Sequence, residues 1–293
     1  MKRVRMNMII KRFVRQLKIS FNMDFWKTLI STLGAVSAVV TLISFVFQVH
    51  KPCTLVIVIY FVIVIGGSFL ISWLLSRRKD SLKLKLSNTL TVNVNAGDIF
   101  DYASDTNYVV IPVNEYFDTV VNTKIVSPSS LHGQFINKYF GYNHIELHEH
   151  IDNYLTENNV EYIEVTERPN VGGYKKKYPL GICVPVQVGQ VTFVLFALTH
   201  FDEEDHAYVE LSEFGRCISS VCRFIEKNAG NSPAYMPLMG MGLSRLNQSG
   251  QFILKYTLDT IVGVKDLAIP GGLNIVVHPH TAKTLDLNAI NYH

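Results

Sequence analysis

The chain has 293 residues, of which 48% are hydrophobic and 17% charged, with 10 Pro and 18 Gly; that balance excludes a disordered or collagen-like protein and leaves ample material for a core. The formal net charge of +3 conceals an uneven distribution. Residues 1–85 carry 14 Lys/Arg against 2 acids, whereas residues 86–293 carry 13 against 22, so the chain consists of two physically different parts. The 4 Cys (Cys53, Cys183, Cys217, Cys222) are too few and too irregularly spaced for a disulfide framework or a zinc knuckle.

The first part opens with a basic amphipathic segment, residues 1–28, in which Ile9, Phe13, Leu17 and Phe21 interleave with Lys and Arg at helical spacing, a pattern suited to an anionic leaflet. Residues 29–49 and 55–75 contain no Asp, Glu, Lys or Arg. Each matches the roughly 20 helical residues that cross a hydrocarbon core, and the short connection carrying Pro52 predicts a transmembrane hairpin over residues 29–75. Basic residues flank the outer ends of both stretches, with Lys51 alone between them, so both termini are expected on the cytoplasmic side of the membrane, with membrane lipid as a partner.

Beyond residue 80 the pattern changes to period two. Leu82, Leu84, Leu86 and then Leu90, Val92, Val94 alternate with polar residues, which predicts strands. Apolar runs at 109–113, 181–186, 191–198 and 273–277 predict more deeply buried strands, and residues 235–238 a short one. Spacings of three and four predict helices over 130–140, 145–155, 207–227 and about 244–261. Strands alternating with helices indicate one α/β domain with a mixed sheet over residues 81–293.

Three junctions in this domain suggest chemistry. Asp98, after the glycine turn at Gly97, reads either as an acceptor for the amino group of a base or as the cap of a helical turn beginning at Ile99, the cap being the simpler reading. Pro237 to Arg245 contains Gly240, Met241, Gly242, Leu243, Ser244 and Arg245 between a strand and a helix, where backbone N–H groups can approach a phosphate. Asn114 to Thr119 ends a buried strand, and His132, Gly133, Gln134 and Phe135 open a helix. Several such junctions at the carboxyl ends of strands are where α/β sheets bind nucleotides. His144, His148 and His150 with Glu146 and Glu149 read as a solvated helix face rather than a metal site.

In their order, Gly97-Asp98-Ile99, Val113-Asn114, Gly133 and Pro237-Leu238-x-Gly240-x-Gly242 resemble a macro domain, an α/β/α module. Asn114-Glu115-Tyr116-Phe117-Asp118-Thr119, Leu131-His132-Gly133-Gln134-Phe135 and Phe196-Ala197-Leu198-Thr199-His200-Phe201-Asp202-Glu203 narrow the resemblance to the macro-like effectors of type II Thoeris anti-phage defence. That resemblance implies a ligand-gated membrane effector rather than an enzyme. It implies an ADP-ribose-derived signal made from NAD by a TIR-domain enzyme, with histidine-conjugated ADP-ribose the expected form, no other cofactor and no metal. It further implies homo-oligomerisation at the bacterial inner membrane, with the macro-like domain cytoplasmic, and damage to that membrane leading to abortive infection. For the site, it puts Asp98 and the Ile99 backbone at the adenine, Gly240 to Arg245 around the diphosphate, His132 to Phe135 on the facing loop and Asn114 near the distal ribose. The segments Asn114-Glu115-Tyr116-Phe117 and Leu131-His132-Gly133-Gln134 depart from those of hydrolytic macro domains. A membrane-tethered ADP-ribosyl hydrolase and a scaffold that recruits ADP-ribosylated proteins are the rival readings.

Overall fold

A computed structural model describes residues 23–46, 54–75, 81–122, 124–141, 144–168, 172–202, 206–241, 246 and 248–290. The chain divides into two compact units, Met1–Lys79 and Asp80–His293.

The first unit contains helices α1 (Met23–Val46) and α2 (Thr54–Leu75). The Thr32 hydroxyl lies 2.8 Å from the Ser72 hydroxyl, and the Phe25 ring meets Phe69 edge-on. Among the described residues no helix is long and apolar enough to cross a membrane. The expected inner-membrane location, with its cytoplasmic sidedness, is corrected accordingly, and the expected transmembrane hairpin finds no support among the described residues. The basic segment expected over residues 1–28 lies outside the described residues as far as residue 22.

The second unit is built on a mixed sheet in the order β1-β2-β10-β9-β3-β7-β6. Its strands are β1 (Ser81–Lys85), β2 (Leu90–Ala96), β3 (Tyr108–Asn114), β6 (Cys183–Val188), β7 (Val191–Phe201), β9 (Ala234–Pro237) and β10 (Ile269–Val277). From β2 to β7 all neighbours run parallel, and β1 and β6 close the two edges antiparallel. A short β8 (Ala207–Tyr208) pairs with the end of β7. The two-residue strands β4 (Ile163–Glu164) and β5 (Lys176–Lys177) form a separate pair.

The pleat sorts side chains between two cores. Along β7, Val194, Phe196 and Leu198 enter one core while Phe193, Leu195 and Ala197 enter the other, as the two-residue period of a strand requires. This double burial explains the near-continuous apolar run in the sequence, because a parallel strand covered on both faces has no solvent side. Helices α3 (Leu131–Tyr139) and α4 (His144–Glu157) cover one face with Phe135, Ile136, Leu147, Ile151 and Leu155. Helices α5 (Leu211–Asn228) and α6 (Gly250–Gly263) cover the other. On α5 the buried residues Phe214, Cys217, Ile218, Val221, Cys222 and Ile225 recur at three and four, the spacing of one helical face. Burial pushes the thiols of Cys217 and Cys222 up to about 12, so both remain protonated. Short α7 (Pro279–Ala282) follows β10.

Two helix starts differ from expectation. Residues 207–208 are recruited by β7 as strand β8, and α5 begins at Leu211. Helix α6 begins at Gly250 because Ser249 caps it, its hydroxyl accepting from the Phe252 N–H at 3.2 Å; the apolar periodicity cannot register such a cap.

Gly271 in β10 lies against the turn before β9: a Cβ there would sit 2.1 Å from the Ser232 carbonyl oxygen. Gly271→Ala is therefore expected to destabilise the domain by about 1–3 kcal/mol, the usual cost of overpacking, which chemical denaturation of the full chain would measure. An unchanged midpoint would remove this close approach from the account of the β9–β10 pairing.

Candidate functional site

The parallel strands end at a common edge, and there the chain leaves each strand in an irregular segment. A cavity of about 330 Å³ lies among these segments, a volume within the range of small-molecule sites. Asn114 from β3, Thr199 and Phe201 from β7, Leu238 to Met241 after β9, and Ser127 to His132 entering α3 form its walls. No Asp, Glu, Lys or Arg lines it among the described residues. Its titratable group is His132, whose buried imidazole is pushed down to about 3 by desolvation and is therefore neutral at physiological pH.

Each wall has a local cause. Ser130 caps α3, its hydroxyl accepting from the Gly133 N–H at 3.0 Å. Gly133 is required there because a Cβ would lie 2.2 Å from the Ser127 carbonyl oxygen. Gly240 has φ +89°, the left-handed region open to glycine, and turns the chain away from β9 beside Leu246 and Ile253.

Of the residues expected in a site, Asn114, His132, Gly240 and Met241 line this cavity. Gly133 acts through its backbone at the α3 cap. Gln134 donates from its amide to the Ser129 carbonyl at 2.9 Å, while Phe135 is fully buried against Phe193 and Tyr139. Asp98 is exposed, and its Oδ1 accepts from the Phe100 N–H at 3.0 Å, capping a 3-10 turn over Ile99–Tyr102 in which Ile99 is buried. Gly242, Leu243, Ser244 and Arg245 lie outside the described residues.

The turn after β3 is the most tightly bound segment of the site. Asn114 Oδ1 accepts from the N–H groups of Tyr116 at 3.0 Å and Asp118 at 3.3 Å. Phe117 is left at φ +50°, a conformation uncommon outside glycine and held here by burial of its ring against Tyr178. Glu115, Asp118 and Thr119 are fully buried. Arg168 donates from Nη1 to both oxygens of Asp118 at 3.0 Å and to the Tyr174 carbonyl at 2.8 Å. Its guanidinium also lies 3.9 Å from the centre of the Tyr116 ring. Burial pushes the Asp118 carboxyl up, against the pull of Arg168 and the Tyr174 N–H.

Beyond this turn lies a second cavity of about 230 Å³, lined by Tyr116, His148, Asp152, Tyr174, Lys176 and Tyr178. There the His148 and Tyr174 rings stack at 3.5 Å, and Lys176 is 2.6 Å from Asp152. Among the described residues no group of three His, Cys, Asp or Glu is arranged to hold a metal ion.

Sequence reasoning placed Glu115 and Asp118 in the right turn without seeing their partners. Two acids within an apolar strand end were a signal that buried cations must exist elsewhere, but nothing in the local sequence singles out Arg168. Arg168→Leu leaves Asp118 buried without its cation, so a loss of about 3–5 kcal/mol is expected in denaturant titration. Adding Asp118→Asn should recover part of that loss; a double variant as unstable as the single one would contradict the pairing as its cause.

The family described as "Thoeris protein ThsA, Macro domain" matches residues 92–278. The chain is 31% identical over 243 residues to Thoeris protein ThsA of Bacillus amyloliquefaciens (strain Y2), an overlap of 79% of this chain and 71% of that protein. Among solved structures, an Oceanobacillus iheyensis macrodomain with ADP is similar over 70% of this chain and 91% of its own, at 12% identity and a TM-score of 0.48. A mutant of the same macrodomain with ADPR is similar over 70% and 93%, at 12% identity and a TM-score of 0.47. By the extent of the family match and the identity to its relative, the chain belongs to the Thoeris ThsA macro-domain family.

Proposed function

We propose that the cavity at the strand ends binds an ADP-ribose-derived signal in anti-phage defence and does not consume it. The observation that carries this reading is the character of the lining: no charged side chain among the described residues, and a histidine too weakly basic to take up a proton at neutral pH. The carboxylates nearest in sequence are not poised for catalysis either. Asp118 is bound by Arg168, Glu115 by Lys177 and His200, and the Asn114 amide oxygen is committed to its own turn. Backbone N–H groups at such a turn can hold a diphosphate, which suits the glycine turn at Gly240.

In this reading Asp98 and the Ile99 backbone recognise the adenine. His132 faces the ligand as a neutral hydrogen-bonding group, the turn from Gly240 to Arg245 surrounds the diphosphate, and Asn114 lies beside the distal ribose. Histidine-conjugated ADP-ribose, made from NAD by a TIR-domain enzyme, is the proposed natural ligand, and self-association of the chain the proposed response.

Calorimetry of the full chain with ADP-ribose should give saturable binding, and Asp98→Ala should weaken it by about 1.5–3 kcal/mol, the range for a hydrogen bond to a charged group. Chromatography of the same mixtures should return the ligand intact. Ligand breakdown would favour the hydrolase, and unchanged affinity in the variant would take Asp98 out of the site. Histidine-conjugated ADP-ribose should bind more tightly than ADP-ribose and raise the measured mass of the protein. Binding without a change in mass would favour the scaffold.

A further inference from the structure

His200, near the end of β7, has no role in the ligand site as described, yet its two ring nitrogens face two different carboxylates. Nδ1 meets Glu115 Oε2, and Nε2 lies 3.2 Å from Glu213 Oε1. An imidazole donates from both nitrogens only as the imidazolium. Glu115 additionally faces Lys177 Nζ at 3.2 Å and accepts from the Phe201 N–H at 3.0 Å. Glu213 faces Arg216 at 3.6 Å, and the Tyr208 ring is 5.5 Å from the imidazole. Among the described residues these are the charged and titratable groups around His200, contributed by the β3 turn, β5, β8 and α5.

The chain neighbours of this cluster form one side of the first cavity. Thr199 and Phe201 flank His200, Asn114 precedes Glu115, and all three line the cavity. We propose that His200, held as a cation between Glu115 and Glu213, is a positioning residue for the ligand cavity: it ties the ends of β3 and β7 to the first turn of α5 and so sets the floor made by Asn114, Thr199 and Phe201. The inference rests on the cavity being the ligand site.

Loss of the proton does not act equally on the two carboxylates. Glu115 has no exposed side-chain surface, whereas Glu213 is 23% exposed, so a neutral His200 keeps its bond to Glu115 and presents a lone pair to Glu213, which turns toward water. The α5 tie is the one released. The hydrogen bond to Glu115 raises the His200 pKa, and the bond to Glu213 adds to it, against the opposing effect of burial. A histidine whose folded pKa lies above its unfolded value contributes its stabilisation fully below about 6.5. That contribution disappears as pH rises through the folded pKa.

The test is a pH titration of the full chain by NMR, following the His200 ring and the backbone amides of Asn114, Thr199 and Phe201, together with ADP-ribose affinity over the same range. The ring midpoint is expected above the ordinary histidine value of about 6.5, with the three amides following it. ADP-ribose affinity should fall on the alkaline side, by up to about tenfold for the loss of one charge-assisted hydrogen bond. Glu213→Gln should lower the ring midpoint and shift the amide and affinity profiles with it. A ring midpoint at or below the ordinary value, amides that ignore it, or identical profiles in Glu213→Gln would each overturn the proposal. Absence of ADP-ribose binding at every pH would defeat the ligand reading instead, while the ring and amide titrations would still decide whether His200 sets the cavity floor.

Discussion

The turn after β3 places Glu115 and Asp118 where no water reaches them. A buried carboxylate is costly unless cations and hydrogen bonds surround it, and much of the surrounding architecture answers that demand. Lys177 from β5, Arg168 and the Tyr174 N–H from the segment before it, and His200 from β7 converge on these two side chains. The β4–β5 segment thereby supports the site although neither strand borders the first cavity. The same turn lies between two cavities of different character, one without a charged side chain among its described lining residues and one with Lys and Asp at its wall.

This arrangement explains how a cavity with no charged side chain among its described lining residues can sit beside several of them. Asp118, Glu115, Arg168, Lys177 and His200 are engaged in local pairs, and among the described residues hydroxyl, amide and neutral imidazole groups line the cavity. Strain is confined to the same place, with Phe117 in the left-handed region. Non-glycine residues hold that conformation where packing over-determines it, and here two buried ion clusters flank it.

The layered α/β domain was readable because its signals are local. Alternation in Leu82 to Val94 and the apolar run at 191–198 follow directly from one-sided and two-sided burial. Junctions were legible where glycine marks them, as at Gly133 and Gly240. What escaped was long-range: Arg168 is 50 residues from Asp118, and His200 is 85 from Glu115, so no periodicity or motif links them. Hydropathy also drew two membrane spans from residues 29–75, although among the described residues no helix is long and apolar enough to cross a membrane. An apolar composition shows what a segment can bury, not what buries it.

The antiparallel strand β1 is a small addition with a consequence for how copies of the domain coexist. It covers what would otherwise be the open side of β2, and its outward residues Ser81, Lys83 and Lys85 are exposed while Leu82 and Leu84 point inward. An uncovered β2, with its apolar alternation, would offer a ready template for another chain's strand. Lysines on an outermost strand repel such pairing. Pairing with another chain's strand is thereby disfavoured at this margin of the sheet.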